Sequence, residues 1–586
     1  GPDVDAVYVA PLLQLSPSDF DGLVQGLIER RLPSFSLWGR SEVDRGLLTS
    51  IYLDTDVTRL SRRMALNVLR ILQGEDAGTI PVDFLRDERS TINLSTARAI
   101  GVYPNWSFLT EAELLHEAPP AVERRVTLPG VAQEALAANL DLAALDRFVA
   151  AGRQNVRLAR SSLLPQLDVS TGTQVIDKDR ADASLGFQPR ASIVGTTTLR
   201  QLLYSERARS NIGIQGDLQR SRESQRDQRR LDIVFEAAVS YLNVLRAQTL
   251  QEIQRTNLGA TRAHLEVAES RERAGVARAA EVIRWENEIA TNRRAVIDAD
   301  AQNSLARLAV NRLLHRPAEE PFQTTETVLD DPTLVLSAAA LDPYVENPFA
   351  FSIFRDFMTQ EGLAISPELQ QIDAGIRAQE SALVSAGRAF WSPTLAMQAD
   401  LSAVSRQGLP PADPTAGFAV PQPGLWDWTV GVNLSLPLFT GNARKAERDQ
   451  AGEELSRLRL ERGSIAEQVE QSIRSALHQA GASYAGIALA LDGADAANRN
   501  HDLVREAYAG GVVTILDLLD AQNGALVADQ AAATAVHTYL IDLMQVERSI
   551  GRFDFFMTAD ERQGFRDRLD AFFLQAGYPL EARTTR

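Results

Sequence analysis

The sequence predicts a mainly α-helical chain with four membrane β-strands and a small N-terminal α/β domain. Three such chains give a twelve-stranded barrel that continues into a long α-helical tunnel. Three observations predict this. Two patches alternate apolar and polar residues with period two. Two stretches of roughly 70 residues lack Pro and read as helix. A constant interval of 236 residues separates matching landmarks, Gly195 from Gly431 and Gly275 from Gly511. At 586 residues and a formal charge of -17, the chain is long enough for more than one domain and too acidic to favour nucleic acid. It has no Cys, which excludes disulfides and thiolate metal ligation. Its apolar runs fall short of the ~20 residues of a membrane helix. The opening Gly1-Pro2 carries neither Met nor an apolar leader, the pattern of a mature form or a fragment.

Residues 1–125 read as an α/β lobe. Ala6–Ala10 is a short strand, and Ser18 caps a helix running to about Arg31 with Leu23, Leu27 and Ile28 on one face. Ser34–Leu37 and Gly46–Ile51 are strands. Val57–Leu72 has helical periodicity and stops at Gly74, and Pro81–Leu85 is a further strand. A Pro-rich linker spans 117–130.

The rest divides into a first repeat (126–325), a linker or equatorial segment (326–365), a second repeat (366–555) and a tail (556–586). In the first patch Leu167, Val169, Thr171, Thr173 and Val175 alternate with Gln166, Asp168, Ser170 and Gln174. In the second, Leu395, Met397, Ala399 and Leu401 form one apolar face, and Val430, Val432, Leu434 and Leu436 another. The segment around 192–202 alternates poorly and is assigned as a strand by repeat position alone. Segments 178–189 and 406–427 read as loops. The helices that follow are about 100 Å long at 1.5 Å per residue, a length suited to a tube. Each reverses at a glycine, Gly275 or Gly511, and helical sequence resumes to near His315 and Gly551.

Four strands cannot close a membrane barrel, which needs at least about eight and no open edge. Three chains supply twelve. Trp426 and Trp428, at a strand start, suit either an interfacial belt or loop packing.

From about 131 to 555 the chain resembles the TolC-like outer-membrane efflux proteins. The stretches that carry the resemblance are Leu163-Leu164-Pro165-Gln166-Leu167, Trp391-Ser392-Pro393-Thr394-Leu395 and Leu436-Pro437-Leu438-Phe439-Thr440-Gly441. A fourth is Tyr508-Ala509-Gly510-Gly511 followed by Ile515 to Gln522. The resemblance implies a homotrimer in outer-membrane lipid, extending into the periplasm. It would serve as the passive exit duct of a tripartite efflux or type I secretion system, with a periplasmic adaptor and an inner-membrane pump. It implies an adaptor-docking tip at Arg273, Gly275 and Val276, and at Gly510, Gly511 and Val512. It implies a cation-binding gate ring at Asp517 and Asp520, i and i+3 on one helix face, and a gate pair of Tyr508 and Glu281. The family's prototype has an Arg two residues after the second glycine, where this chain has Val513.

Residues 3–125 resemble the second half of an ABC-type periplasmic substrate-binding protein, chiefly in Thr91-Ile92-Asn93-Leu94-Ser95-Thr96-Ala97-Arg98-Ala99-Ile100-Gly101. One lobe leaves half of any cleft missing. Trp38 and Gly39, just after a strand, suit either a cleft lining or, more readily, packing and loop roles, and no ligand residues are assigned. No P-loop, dinucleotide fingerprint or metal-ligand spacing appears among the six His, so neither catalysis nor a cofactor or metal is expected. Two other readings stay open: the lobe as the primary substrate-binding and delivery element, and the chain as a long periplasmic helical scaffold.

Overall fold

The computed structural model describes residues 4–12, 14–51, 61, 64–65, 67–72, 74, 76–80, 90–105, 108–109, 112–116, 124–184, 188–273, 275–326, 344–345, 347–407 and 424–578. The expected strand at 81–85 and the first residues of the 57–72 helix lie outside them.

In the N-terminal lobe, strands β1 (Val7–Val9), β2 (Ser34–Ser36), β3 (Thr49–Ser50), β4 (Thr91–Asn93) and β5 (Glu113–Leu115) form one sheet in that order. Only the β3–β4 pairing is antiparallel. Helix α1 (Pro17–Glu29) is capped by Ser16 rather than Ser18, because Pro17 takes the first helical position and the Ser16 hydroxyl accepts from the Asp19 amide. Its buried face is Phe20, Val24 and Leu27, whereas Leu23 is exposed. Gly46 explains why the third strand is shorter than expected. It turns at φ 118°, and a Cβ there would lie 2.8 Å from Val24. Helices α2 (Arg40–Asp44) and α3 (Leu94–Ile100) also belong to the lobe, with helical residues at 67–72 and a short 3-10 turn at Ala77–Thr79. Its two hydrophobic clusters, around Val24 and Ile92, draw only on residues of the lobe.

Of the expected 117–130 linker, residues 117–123 lie outside the described residues, and the part from Arg125 on is strand and helix. Strand β6 (Arg125–Val126) pairs with β9 (Gln323–Thr324), and helix α4 (Leu128–Ala138) buries Val131, Ala132 and Ala135. The Tyr241 hydroxyl sits between these strands, 2.6 Å from the Thr325 carbonyl and 3.0 Å from that of Val126.

Helix α5 (Leu140–Ser161) leads into strand β7 (Gln166–Val175), with Pro165 ending the helical path. The expected loop at 178–189 contains a short helix, α6 (Lys178–Ala183), capped by Asp177. Strand β8 (Ala191–Tyr204) opens into α7 (Glu206–Arg273), and α8 (Ala279–Leu313) returns. In the second half, α9 (Pro348–Ile365) and α10 (Pro367–Arg388) precede strands β10 (Thr394–Gln407) and β11 (Trp426–Ser435). Helices α11 (Ala443–Ala509) and α12 (Ile515–Ile550) form the second hairpin. Helices α7 and α11 contain 68 and 67 residues, and both are rich in strong helix formers without Pro.

Both segments flanking the second repeat contain helix. Residues 348–365 of the linker or equatorial segment form α9, and residues 559–575 of the tail form helix α13. Both bury aromatic side chains: Phe354 and Phe357 from α9, Phe565 and Phe573 from α13 join Tyr241 and Ile473 in the main core. Gly362 permits this close approach. A Cβ there would lie 2.5 Å from Ile473 Cδ1 and 3.3 Å from Ile550 Cα.

The four strands form one antiparallel sheet in the order β11-β10-β8-β7. Its register sets the faces. Val169 pairs with Thr197, Thr197 with Leu401 and Leu401 with Trp428, and the next such row is Leu167, Leu199, Ala399, Val430. The opposite face carries Gln166, Arg200, Gln398 and Gly431, then Asp168, Thr198, Asp400 and Thr429. The Thr198 hydroxyl donates to Asp400 at 2.7 Å, and Gln398 donates to the same carboxylate at 2.8 Å. Both Trp426 and Trp428 lie exposed on the apolar face. Among the described residues, no helix is long and apolar enough to cross a membrane.

Candidate functional site

The two hairpin turns share one backbone design. After α7, the Gly275 amide donates to the Glu272 carbonyl at 2.8 Å and the Val276 amide to Arg271 at 3.0 Å. After α11, Gly511 donates to Tyr508 and Val512 to Ala507, both at 2.9 Å. These are paired helix-end bonds around a left-handed residue. Gly275 has φ 73° and Gly511 has φ 75°, which a side chain would strain. Val276 and Val512 project outward, 68% and 80% exposed. Arg273 folds back along its own helix onto the Glu269 carbonyl and Ser270. Gly510 is the last, right-handed residue before the turn.

Behind the turns lies a separate hydrophobic cluster of Ala268, Trp285, Tyr508, Ile515 and Leu518. Trp285 and Tyr508 are almost wholly buried. The Tyr508 hydroxyl donates to Glu281 Oε2 at 3.0 Å, joining α11 to α8 across the two hairpins. Burial raises the phenol above its ordinary pKa and the Glu281 carboxylate adds to the rise, so it remains a donor. Val513 packs against this cluster. Apolar contact thus fills the position where the family's prototype has an Arg.

Asp517 and Asp520 are both exposed on the first turns of α12. Asp517 also has a local task. Its carboxylate accepts from the Thr514 amide at 2.8 Å and the Thr514 hydroxyl at 2.7 Å, forming a capping box. These bonds hold its carboxyl below the usual range. The 236-residue interval makes Glu281 its counterpart. Arg278, at the cap of α8, makes no side-chain cap bond, and Glu281 reaches Tyr508 instead.

The family model for outer membrane efflux proteins matches residues 131–315 and 358–552. The chain belongs to the outer membrane efflux protein family. It is 25% identical over 444 residues to the outer membrane efflux protein BepC of Brucella suis biovar 1, covering 74% of this chain and 86% of that protein. It is also 25% identical over 455 residues to OpmQ, a pyoverdine export outer membrane protein of Pseudomonas aeruginosa, covering 72% and 83%. Among solved structures, CusC superposes with a TM-score of 0.59 at 16% identity, over 73% of this chain and 92% of that one. VceC of Vibrio cholerae superposes with a TM-score of 0.58 at 15% identity, over 72% and 96%. These two share the fold. This efflux protein is therefore an outer-membrane exit duct with a periplasmic extension. Its N-terminal lobe lies outside the family match.

The tip contains side chains that motif reading missed. Arg271 lies with its guanidinium carbon 4.4 Å from the Tyr508 ring centroid and donates to the Tyr508 carbonyl. His264 Nε2 lies 3.3 Å from His501 Nε2, and the His264 ring sits 5.1 Å from that of Trp285. A helical stripe was the available signal: His264, Ala268 and Arg271 stand at i, i+4 and i+7 on one face of α7.

Proposed function

We propose that three copies of this chain assemble into a closed twelve-stranded barrel whose helices continue as a periplasmic tunnel. One observation carries the reading: the sheet has a mainly apolar face, a mainly polar face and, among the described residues, two free edges. Among the described residues β7 pairs only with β8, and β11 only with β10. In a bilayer an unpaired edge costs several kcal/mol per group. Edge β7 of one protomer pairs with β11 of the next, and the strands, 10 to 14 residues long, span the hydrocarbon. The apolar faces meet lipid, and the polar faces line water.

At the far end the Tyr508–Glu281 bond holds the two hairpins of each protomer together in the resting gate. Asp517 and Asp520 from three protomers form a cation-attracting ring. The exposed turns around Gly275 and Gly511, with Arg273, Val276, Gly510 and Val512, dock a periplasmic adaptor that connects the duct to an inner-membrane pump. The test is single-channel recording from purified protein in planar bilayers. The wild-type channel conducts and is blocked by multivalent cations from the tunnel side. Asp517→Asn with Asp520→Asn abolishes the block while conduction persists. Unchanged block in the double variant removes the ring assignment, and absence of any conduction removes the duct.

A further inference from the structure

The Tyr508 hydroxyl reaches Glu281 only while its ring is held toward α8. Beside Ala268, Ile515 and Leu518 of the same cluster, two side chains from the first hairpin bear on that ring. Trp285 packs beside it in the apolar cluster. Arg271, in the last turn of α7, lies over its face with the guanidinium carbon 4.4 Å from the centroid. Arg271 Nη1 also donates to the Tyr508 backbone carbonyl. That carbonyl belongs to the last turn of α11, where the helix presents its negative end and a cation is favoured. The contact continues under the turn, where a Cβ at Gly511 would stand 3.7 Å from Arg271 Nη2. One planar cation thus touches the ring face, the carbonyl and the turn of the opposite hairpin. Lys has the charge but lacks the plane for the same set of contacts.

We propose that Arg271 is a positioning residue for the gate: it clamps Tyr508 from the opposite hairpin and so keeps the phenol on Glu281. Through this one tyrosine, Arg271 on α7 and Glu281 on α8 both tie the first hairpin to α11. The assignment rests on the reading of Tyr508 and Glu281 as the gate pair. Arg271 is not conservatively replaceable. Its loss leaves the fold of the hairpins intact, because the turn bonds of Gly275 and Gly511 are made by backbone.

The experiment compares the ratio of open to closed time in single-channel recordings of the purified wild-type protein, Arg271→Ala, Arg271→Lys, Tyr508→Phe and the double variant Arg271→Ala with Tyr508→Phe. The expected results are that Arg271→Ala raises the ratio about tenfold, the scale of one charge-assisted bond. Arg271→Lys falls between it and the wild type, and the double variant matches Tyr508→Phe. If the two single effects multiply in the double variant, Arg271 acts independently of the phenol and the positioning role is overturned. A wild-type ratio in Arg271→Ala beside an opened Tyr508→Phe overturns it too, and leaves the gate pair standing. Wild-type behaviour in Tyr508→Phe removes the gate pair itself. If Arg271→Ala does not assemble, Arg271→Lys and Arg271→Gln carry the same comparison, and wild-type ratios in both overturn the proposal.

Discussion

Single residues decide where this chain packs closely and where it turns. Gly362 is the sharpest case, because α9 passes so near α11 and α12 that a β-carbon would meet Ile473 Cδ1 at 2.5 Å and the Ile550 backbone at 3.3 Å. Ile473 is able to rotate away, whereas the backbone has to move as a unit. Gly362→Val is therefore expected to cost about 1–3 kcal/mol through overpacking, read as a lower thermal midpoint of the detergent-solubilised protein. A midpoint equal to wild type would mean that α9 is seated less tightly than described. Asp517 shows a residue with two tasks. Its carboxylate completes a capping box with Thr514 while standing exposed beside Asp520. The Thr514 bonds hold its proton affinity down, so its charge persists to lower pH than that of an ordinary aspartate.

At the scale of elements, the two hairpins are joined differently along their length. Near the middle the join is apolar, with Tyr241, Ile473 and Leu543 fully enclosed. Between there and the apolar cluster behind the turns it is polar. Gln522 donates to Asn257 at 2.8 Å and to Thr261 at 2.6 Å, Asn292 donates to Thr261 at 2.9 Å, and His264 faces His501. Burial first, then His501 and Arg505, pull the His264 imidazole down to about 4. Burial and Arg505 lower His501 as well, opposed by Asp502 and Asp529. A histidine depressed in the fold is neutral there while the unfolded chain still takes up a proton. The stability it confers is complete above the ordinary value of 6.5 and is lost as pH falls toward about 4. The thermal midpoint should therefore drop across that window, and His501→Gln, which can still donate to His264, should flatten the drop. An identical slope in the variant would assign the acid sensitivity to other groups. The sequence made the long helices, the glycine turns and three of the four strands legible, because period and Pro-free length are local properties. Strand β8 was legible only through its repeat position. Its alternation is blurred by Val194 and Leu202, and only the pairing of Thr197 with Val169 and Leu401 shows which face is which. Arg271, His264 and His501 escaped motif reading because their partners lie across the hairpins, at sequence separations near 237.

For the whole molecule, a protomer is an unfinished object. Among the described residues its sheet has two free edges and a mainly apolar face bearing Trp426 and Trp428, while the paired helices extend about 100 Å from it. The N-terminal lobe stands apart in energetic terms, since its two hydrophobic clusters use only its own residues. In the proposed trimer a second copy and then a third satisfy the edges, without need of the lobe. The central claim is met most directly by particle images of the detergent-extracted protein. A three-fold tube well over about 100 Å long is expected, with a detergent belt at one end only. An elongated monomer that stays in solution without detergent would contradict it.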